Sequence, residues 1–191
     1  MQTTLLTTIV ALIGTISTLL AVVIANRTQI RNQRENNLFQ LELSKEKSKG
    51  DFTSKLRETA STQLATAHKL LNYIGREFSI TEIVIMREAA ISKSEFDIKY
   101  KGLCEKVDEL RMIVDFYATD ATSICDEIYG KMNIFWGNFS NVLYLTENGK
   151  EVDHRDSCFQ KAHEAAMEIG KKVELAKSRL RNSFRSHLAA N

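Results

Sequence analysis

The chain opens on an uncharged run from Thr3 to Ala25 whose apolar content comes from Leu5, Leu6, Ile9, Val10, Leu12, Ile13, Ile16, Leu19, Leu20, Val22, Val23 and Ile24. An α-helix of about 20 apolar residues spans a bilayer's hydrocarbon layer, so this run predicts a transmembrane anchor over residues 1–27. Its threonines and serines do not forbid that, because their hydroxyls can bond to helix carbonyls. A cleaved signal peptide is the rival reading, with Val23-Ile24-Ala25 as the cleavage site. Two features oppose it: no basic residue precedes the run, and the run is longer than a signal core. Residues 28–50 then read as a polar helical neck, an exposed stalk or short coiled coil. Leu38, Phe39, Leu41 and Leu43 are its apolar group, and Ser44 to Gly50 is a candidate break.

From residue 51 onward the apolar positions fall at helical spacing. One stripe runs Phe52, Leu56, Ala60, Leu64, Ala67, Leu71, Ile74, Phe78. A second helix, capped by Ser79 or Thr81, carries Ile83 to Met86, apolar on every side and so either deeply buried or a partner surface. A third, starting near Ser94, carries Phe96, Tyr100, Leu103, Val107, Leu110, Val114 and Tyr117. After a joint at residues 118–122, with Asp120 as candidate cap, a fourth carries Ile124, Ile128, Met132, Phe135, Phe139 and Val142 and stops at Asn148-Gly149. A last helix from Asp156 or Ser157 carries Phe159, Ala162, Ala166, Ile169, Val173, Ala176, Leu180, Phe184 and Leu188. No stretch alternates with period two. The fold class expected is all-α: a transmembrane helix, a helical neck, and an up-and-down helical bundle over residues 51–191.

Composition supports long helices, since the chain has no proline and only eight glycines. Cys104, Cys125 and Cys158 are widely spaced, a poor disulfide or zinc framework that reads as buried free thiols in a reducing compartment. The net charge of +2 hides an asymmetry. Residues 105–156 hold eleven acidic and five basic side chains, whereas residues 157–191 hold seven basic and three acidic. Internal pairing of the acidic middle with the basic last helix is the plain account.

The chain carries few motifs with a recognisable chemistry. No H-E-x-x-H, G-x-S-x-G, P-loop or G-x-G-x-x-G occurs, and no enzyme, metal site or cofactor is expected. Glu151-x-x-His154 has di-iron spacing but only one copy, and the cluster Asp153, His154, Asp156, Cys158, His163 matches no known ligand pattern. Three features remain. Thr7, Ala11, Gly14, Thr18, Ala21 and Ala25, alternating by four and three, put small residues on one stripe of the anchor, a seam for self-association. Lys177, Arg181 and Arg185 share a face of the last helix, a candidate site for an anionic ligand such as a nucleotide or for anionic lipid headgroups. The stretch from Tyr129 to Phe139 is apolar on too many faces for one buried stripe, which suggests either a subunit interface or a fully enclosed helix.

Arg27, Arg31 and Arg34 follow the anchor and no basic residue precedes it, so the bundle is expected in the cytoplasm and the N-terminus outside. From Ala25-Asn26-Arg27 through Gly75 the organisation resembles a group of mostly uncharacterised small bacterial single-pass membrane proteins with a polar helical neck and a cytoplasmic helical bundle. The group includes antiphage membrane effectors, some gated by cyclic oligonucleotides. The resemblance is one of architecture and implies no particular site residue. The expected function is a non-enzymatic, homo-oligomeric protein of the bacterial inner membrane. Its bundle would sense an anionic small molecule or a protein partner and act through membrane helices in contact with lipid. The alternative is a passive anchor or scaffold for a partner protein. Binding to duplex nucleic acid is not expected.

Overall fold

The computed structural model describes the backbone of residues 2–189 and the side chains of residues 18 and 21–186. Among the described residues there are five α-helices and no strand: α1 (Gln2–Glu77), α2 (Ile80–Glu88), α3 (Lys93–Tyr117), α4 (Thr122–Glu147) and α5 (Ser157–Ala189). A single 3-10 turn, Thr119–Ala121, joins α3 to α4. The chain divides into two compact units, Met1–Lys55 and Leu56–Asn191.

The first unit consists of the N-terminal part of α1 alone, and here the sequence expectation needs correction. Among the described residues no helix is long and apolar enough to cross a membrane. From Asn26 to Lys55 the helix is polar and carries charges throughout, so no run of the roughly 20 apolar residues a span requires lies in it. The transmembrane helix, the single-pass topology and the inner-membrane location with its outside N-terminus and cytoplasmic domain are therefore not supported. Thr7, Ala11 and Gly14 of the small-residue seam lie outside the described side chains, while Thr18, Ala21 and Ala25 are exposed. The candidate break at Ser44 to Gly50 is also absent, since α1 runs through it. One interior glycine costs a helix only about 1 kcal/mol, and the surrounding Lys and Glu are good helix formers. Thr28 and Thr53 turn their hydroxyls back onto the carbonyls of Ile24 and Lys49, both at 2.9 Å.

The second unit is a four-helix bundle closed at one end by α2. Its helices are delimited by local chemistry. Ser79 caps α2 by accepting the Glu82 N–H (3.2 Å). Ser92 and Glu95 form a reciprocal capping box on α3, in which each side chain takes the other's backbone N–H. Asp156 accepts the N–H groups of Cys158 and Phe159 at the start of α5 (2.8 and 3.2 Å). At the end of α4 Gly149 adopts φ +73°, and Lys150 N–H reaches the Leu145 carbonyl while Gly149 N–H reaches Thr146. Both bonds belong to a Schellman stop. The same pattern ends α2 with Ala90 at φ 50°, a position where the side chain costs about 1 kcal/mol. Asp120 caps no helix; it accepts the Ser183 hydroxyl of α5 (3.0 Å).

Side-chain contacts fix the directions. Arg111 and Asp126 pair near the α3–α4 turn, and Trp136 bonds Asp97 at the far end, so α3 and α4 are antiparallel. Glu127 meets Lys172 and Asn141 meets Cys158, which makes α4 and α5 antiparallel. Asn72 meets Lys177 and Gly75 meets Val173, so α5 also runs against α1. The result is up-down-up-down packing around Leu71, Ile74, Val107, Leu110, Ile128, Met132, Phe135 and Ile169, each at most 0–2 % exposed. The predicted stripes supply nearly all of this core, except that Phe52 and Leu56 are exposed and the first stripe enters the core only at Ala60. In α2, Ile83 and Met86 are buried while Val84 and Ile85 face outward.

One polar clamp ties three elements together at the α2 end. Lys99 of α3 bonds Glu82 of α2 and sits 3.0 Å from Glu77 at the end of α1. Burial opposes its charge, but the two carboxylates outweigh burial and hold the ammonium above its ordinary value of 10.5. Because the folded-state value is the higher one, the clamp's contribution is complete below about pH 10.5 and is lost as the pH rises through the folded value. Lys99→Met is therefore expected to lower stability at neutral pH by about 1.5 kcal/mol. Denaturant titrations across the alkaline range should show the difference between wild type and variant shrinking only above that pH. A difference that does not vary with pH would remove the charge from this account.

Candidate functional site

A groove between α1 and α5 joins an apolar base to basic side chains. Near the α2 end the two helices are held close, because Gly75 has no side chain: a Cβ there would sit 3.2 Å from Val173 Cγ1. One turn along, Lys177 donates to Asn72 Oδ1 (2.9 Å). Lysine has only donors, so this bond fixes the Asn72 amide with Nδ2 as its donor. That Nδ2 lies 3.2 Å from His68 Nδ1, which accepts from it.

Beyond this point the helices leave a shallow slot of about 480 Å³ lined by Ser61, Leu64, Ala65 and His68 of α1 and by Leu180, Arg181, Phe184 and Arg185 of α5. Leu64 and Leu180 are buried at its base, while Ala65 and Phe184 are exposed along its sides. Arg181 and Arg185, one turn apart, bring two guanidinium groups to the same slot, and no acidic residue lines it. Among the described residues neither arginine has a carboxylate within ion-pair distance, unlike Lys171, Lys172 and Lys177 of the same helix, which pair with Glu168, Glu127 and Glu174.

The three basic residues singled out in the sequence thus separate. Arg181 and Arg185 share the slot, whereas Lys177 is consumed by Glu174 and Asn72 outside it. Among the described residues, charge pairing between α5 and the acidic middle is confined to Lys172 with Glu127, beside a hydrogen bond that the Ser183 hydroxyl donates to Asp120. Sequence reasoning missed the α1 half of the site. Leu64 was legible as a core position, but nothing in the sequence paired it with Leu180, or set His68 and Ser61 opposite the two arginines.

Other candidates resolve differently. Among the described residues no group of three His, Cys, Asp or Glu side chains is placed to hold a metal ion. In the Asp153–His163 cluster, Asp153 accepts the Arg155 N–H and Asp156 caps α5, so both carboxylates have local work. Cys125 is fully buried, and burial raises its thiol to about 12; Cys104 and Cys158 are only half-buried. Tyr129 to Phe139 lies within α4, where Phe135 and Phe139 are enclosed. Trp136 stacks on Tyr100 (5.4 Å, 20°) and donates to Asp97 (2.8 Å), so this residue is spent on joining α3 to α4.

The separation of the basic residues has a measurable consequence. Lys177→Met should destabilise the bundle by about 1 kcal/mol through the loss of Asn72 and Glu174. Arg181→Gln and Arg185→Gln should each change stability by less than about 0.5 kcal/mol. Thermal melts of the three variants check this, and a larger loss at either arginine would assign it a structural role.

No protein-family model, curated protein or solved structure matches the chain, and the site rests on its own geometry.

Proposed function

We propose that this chain is a non-enzymatic, self-associating helical protein whose bundle binds an anionic ligand in the α1–α5 slot. The observation that carries the reading is the pair Arg181 and Arg185, unneutralised by any described carboxylate and set beside an apolar base of Leu64 and Leu180. Two guanidinium groups without a protein counter-ion favour an anion, and an apolar base favours a ligand with a hydrophobic body. The slot's volume falls within the range of about 300–1,000 Å³ common for small-molecule sites.

The probe for this site is anilinonaphthalene sulfonate, which joins an aromatic body to one negative charge. Its fluorescence should rise saturably with the intact chain. The double variant Arg181→Glu/Arg185→Glu should weaken binding by about tenfold or more with an unchanged melting temperature. Equal binding by a variant that melts normally would refute the site.

Self-association is supported by α1 itself. Ile30, Leu38, Phe39 and Leu41 are each more than half exposed on one polar helix. Apolar side chains without an intramolecular partner are the usual material of helix–helix interfaces. Sedimentation equilibrium of the full chain should show an oligomer, and Leu38→Lys/Leu41→Lys should shift it toward monomer. A wild-type monomer at every concentration would remove this part of the reading.

A further inference from the structure

The same slot constrains the ligand's class. We infer that it takes a single-chain anionic amphiphile, an acyl chain ending in a carboxylate or phosphate, rather than a nucleotide. This rests on the reading of the slot as an anion site.

Both walls are interior turns of long helices, α1 and α5, whose backbone N–H and C=O groups are already engaged in the helix. A nucleobase edge would therefore have to be read by side chains alone. Beyond the two arginines the slot offers only Ser61 and His68 as hydrogen-bonding side chains, and the Nδ1 of His68 is taken by Asn72. A base left without partners in such a site would lose its own hydrogen bonds to water with little return. An alkyl chain asks for none. Leu64 and Leu180 at the base and Ala65 and Phe184 at the sides give it an apolar lining. From Ser61 to His68 the α1 wall is two turns, roughly 10 Å at 1.5 Å per residue, so an extended chain can lie along the helices. The head then meets Arg181 and Arg185, whose paired forks suit a carboxylate or phosphate and have no competing acid in the slot.

Isothermal titration calorimetry on the intact chain separates the alternatives. The ligands are dodecanoate and dodecyl phosphate below their micelle concentrations, dodecanol as the uncharged chain, inorganic phosphate as the head alone, and a cyclic dinucleotide. Either charged amphiphile should bind at least about tenfold more tightly than dodecanol, and phosphate alone should bind weakly or not at all. Whichever head binds more tightly identifies the source of the anion. Arg181→Gln/Arg185→Gln should erase the advantage over dodecanol. Ala65→Trp, at an exposed position, should block the chain while leaving the melting temperature near wild type. Cyclic dinucleotide binding that the arginine variant abolishes, with no amphiphile binding, overturns the ligand class but leaves the anion site standing. Amphiphile binding that neither variant weakens overturns both readings, as does the absence of binding by every anion tested.

Discussion

The bundle depends on one aromatic contact set near its α2 end. Phe78, just past the end of α1, meets Phe135 of α4 edge-on at 5.1 Å, and Phe96 of α3 meets Phe139 of α4 in the same way at 5.1 Å. Phe135 and Phe139 stack on each other at 5.5 Å and close the set. All four rings are essentially inaccessible to solvent, and edge-to-face pairs add about 0.5–1.5 kcal/mol each beyond the burial of the rings. Three helices are thereby fixed at one end before any polar contact is considered. Tyr100 extends the set outward, touching Phe78 and stacking on Trp136, and its hydroxyl finds Asn133 at 2.8 Å. The polar clamp at Lys99 lies against this end as well, so aromatic packing and charge pairing act on the same joint.

That asymmetry explains where the slot is. Large rings fill one end, and Gly75 lets α5 approach α1 beside them. Toward the other end the α1 residues at the α1–α5 seam are Ser61, Leu64 and Ala65, and Phe184 of α5 stands exposed at the side of the gap. A core packed tightly at one end and sparsely at the other leaves a concavity where the filling runs out. The slot therefore follows from how side-chain volume is distributed along the bundle.

Much of this was legible in the sequence because helical periodicity reports which face is buried. The stripes on α3 and α4 entered the core at every position from Phe96 to Val114 and from Ile124 to Val142. Helix starts were legible to within a turn: Ser79, one of two candidates, caps α2, α3 begins at Lys93 behind a Ser92 cap, and α5 begins at Ser157 with Asp156 accepting its first N–H groups. Three things were not legible. An apolar run signals burial without saying in what, and among the described residues no helix meets the requirement for a membrane span. The surplus apolar surface around Trp136 left a subunit interface and a fully enclosed helix equally open, because its hydrogen-bond and stacking partners, Asp97 and Tyr100, lie more than thirty residues away. Likewise, three basic residues every fourth position share a face, but whether each is free depends on what the neighbouring helix places opposite. Asn72 was invisible as the partner that removes Lys177 from the set.

The remaining question is whether two arginines near the end of α5 need a ligand to explain them. Basic residues in the last turns of a helix are favourable on their own, worth about 0.3–1 kcal/mol against the negative end of the helix dipole. That accounts for Arg185 in part, since α5 ends at Ala189. It does not account for the setting. A residue serving only the dipole can project into solvent from any face of the last turn. Arg181 and Arg185 instead project from the face that carries Leu180 and Phe184 and that looks across the slot at Leu64 and His68. After Glu174 the sequence of α5 contains no acidic residue that could neutralise them along the helix. Lys177, one turn earlier, shows how this bundle satisfies a cation when it needs only a structural one: a glutamate three residues back and an amide on the facing helix. The two arginines have neither, and the apolar surface beside them is the part of the site that dipole stabilisation leaves unexplained.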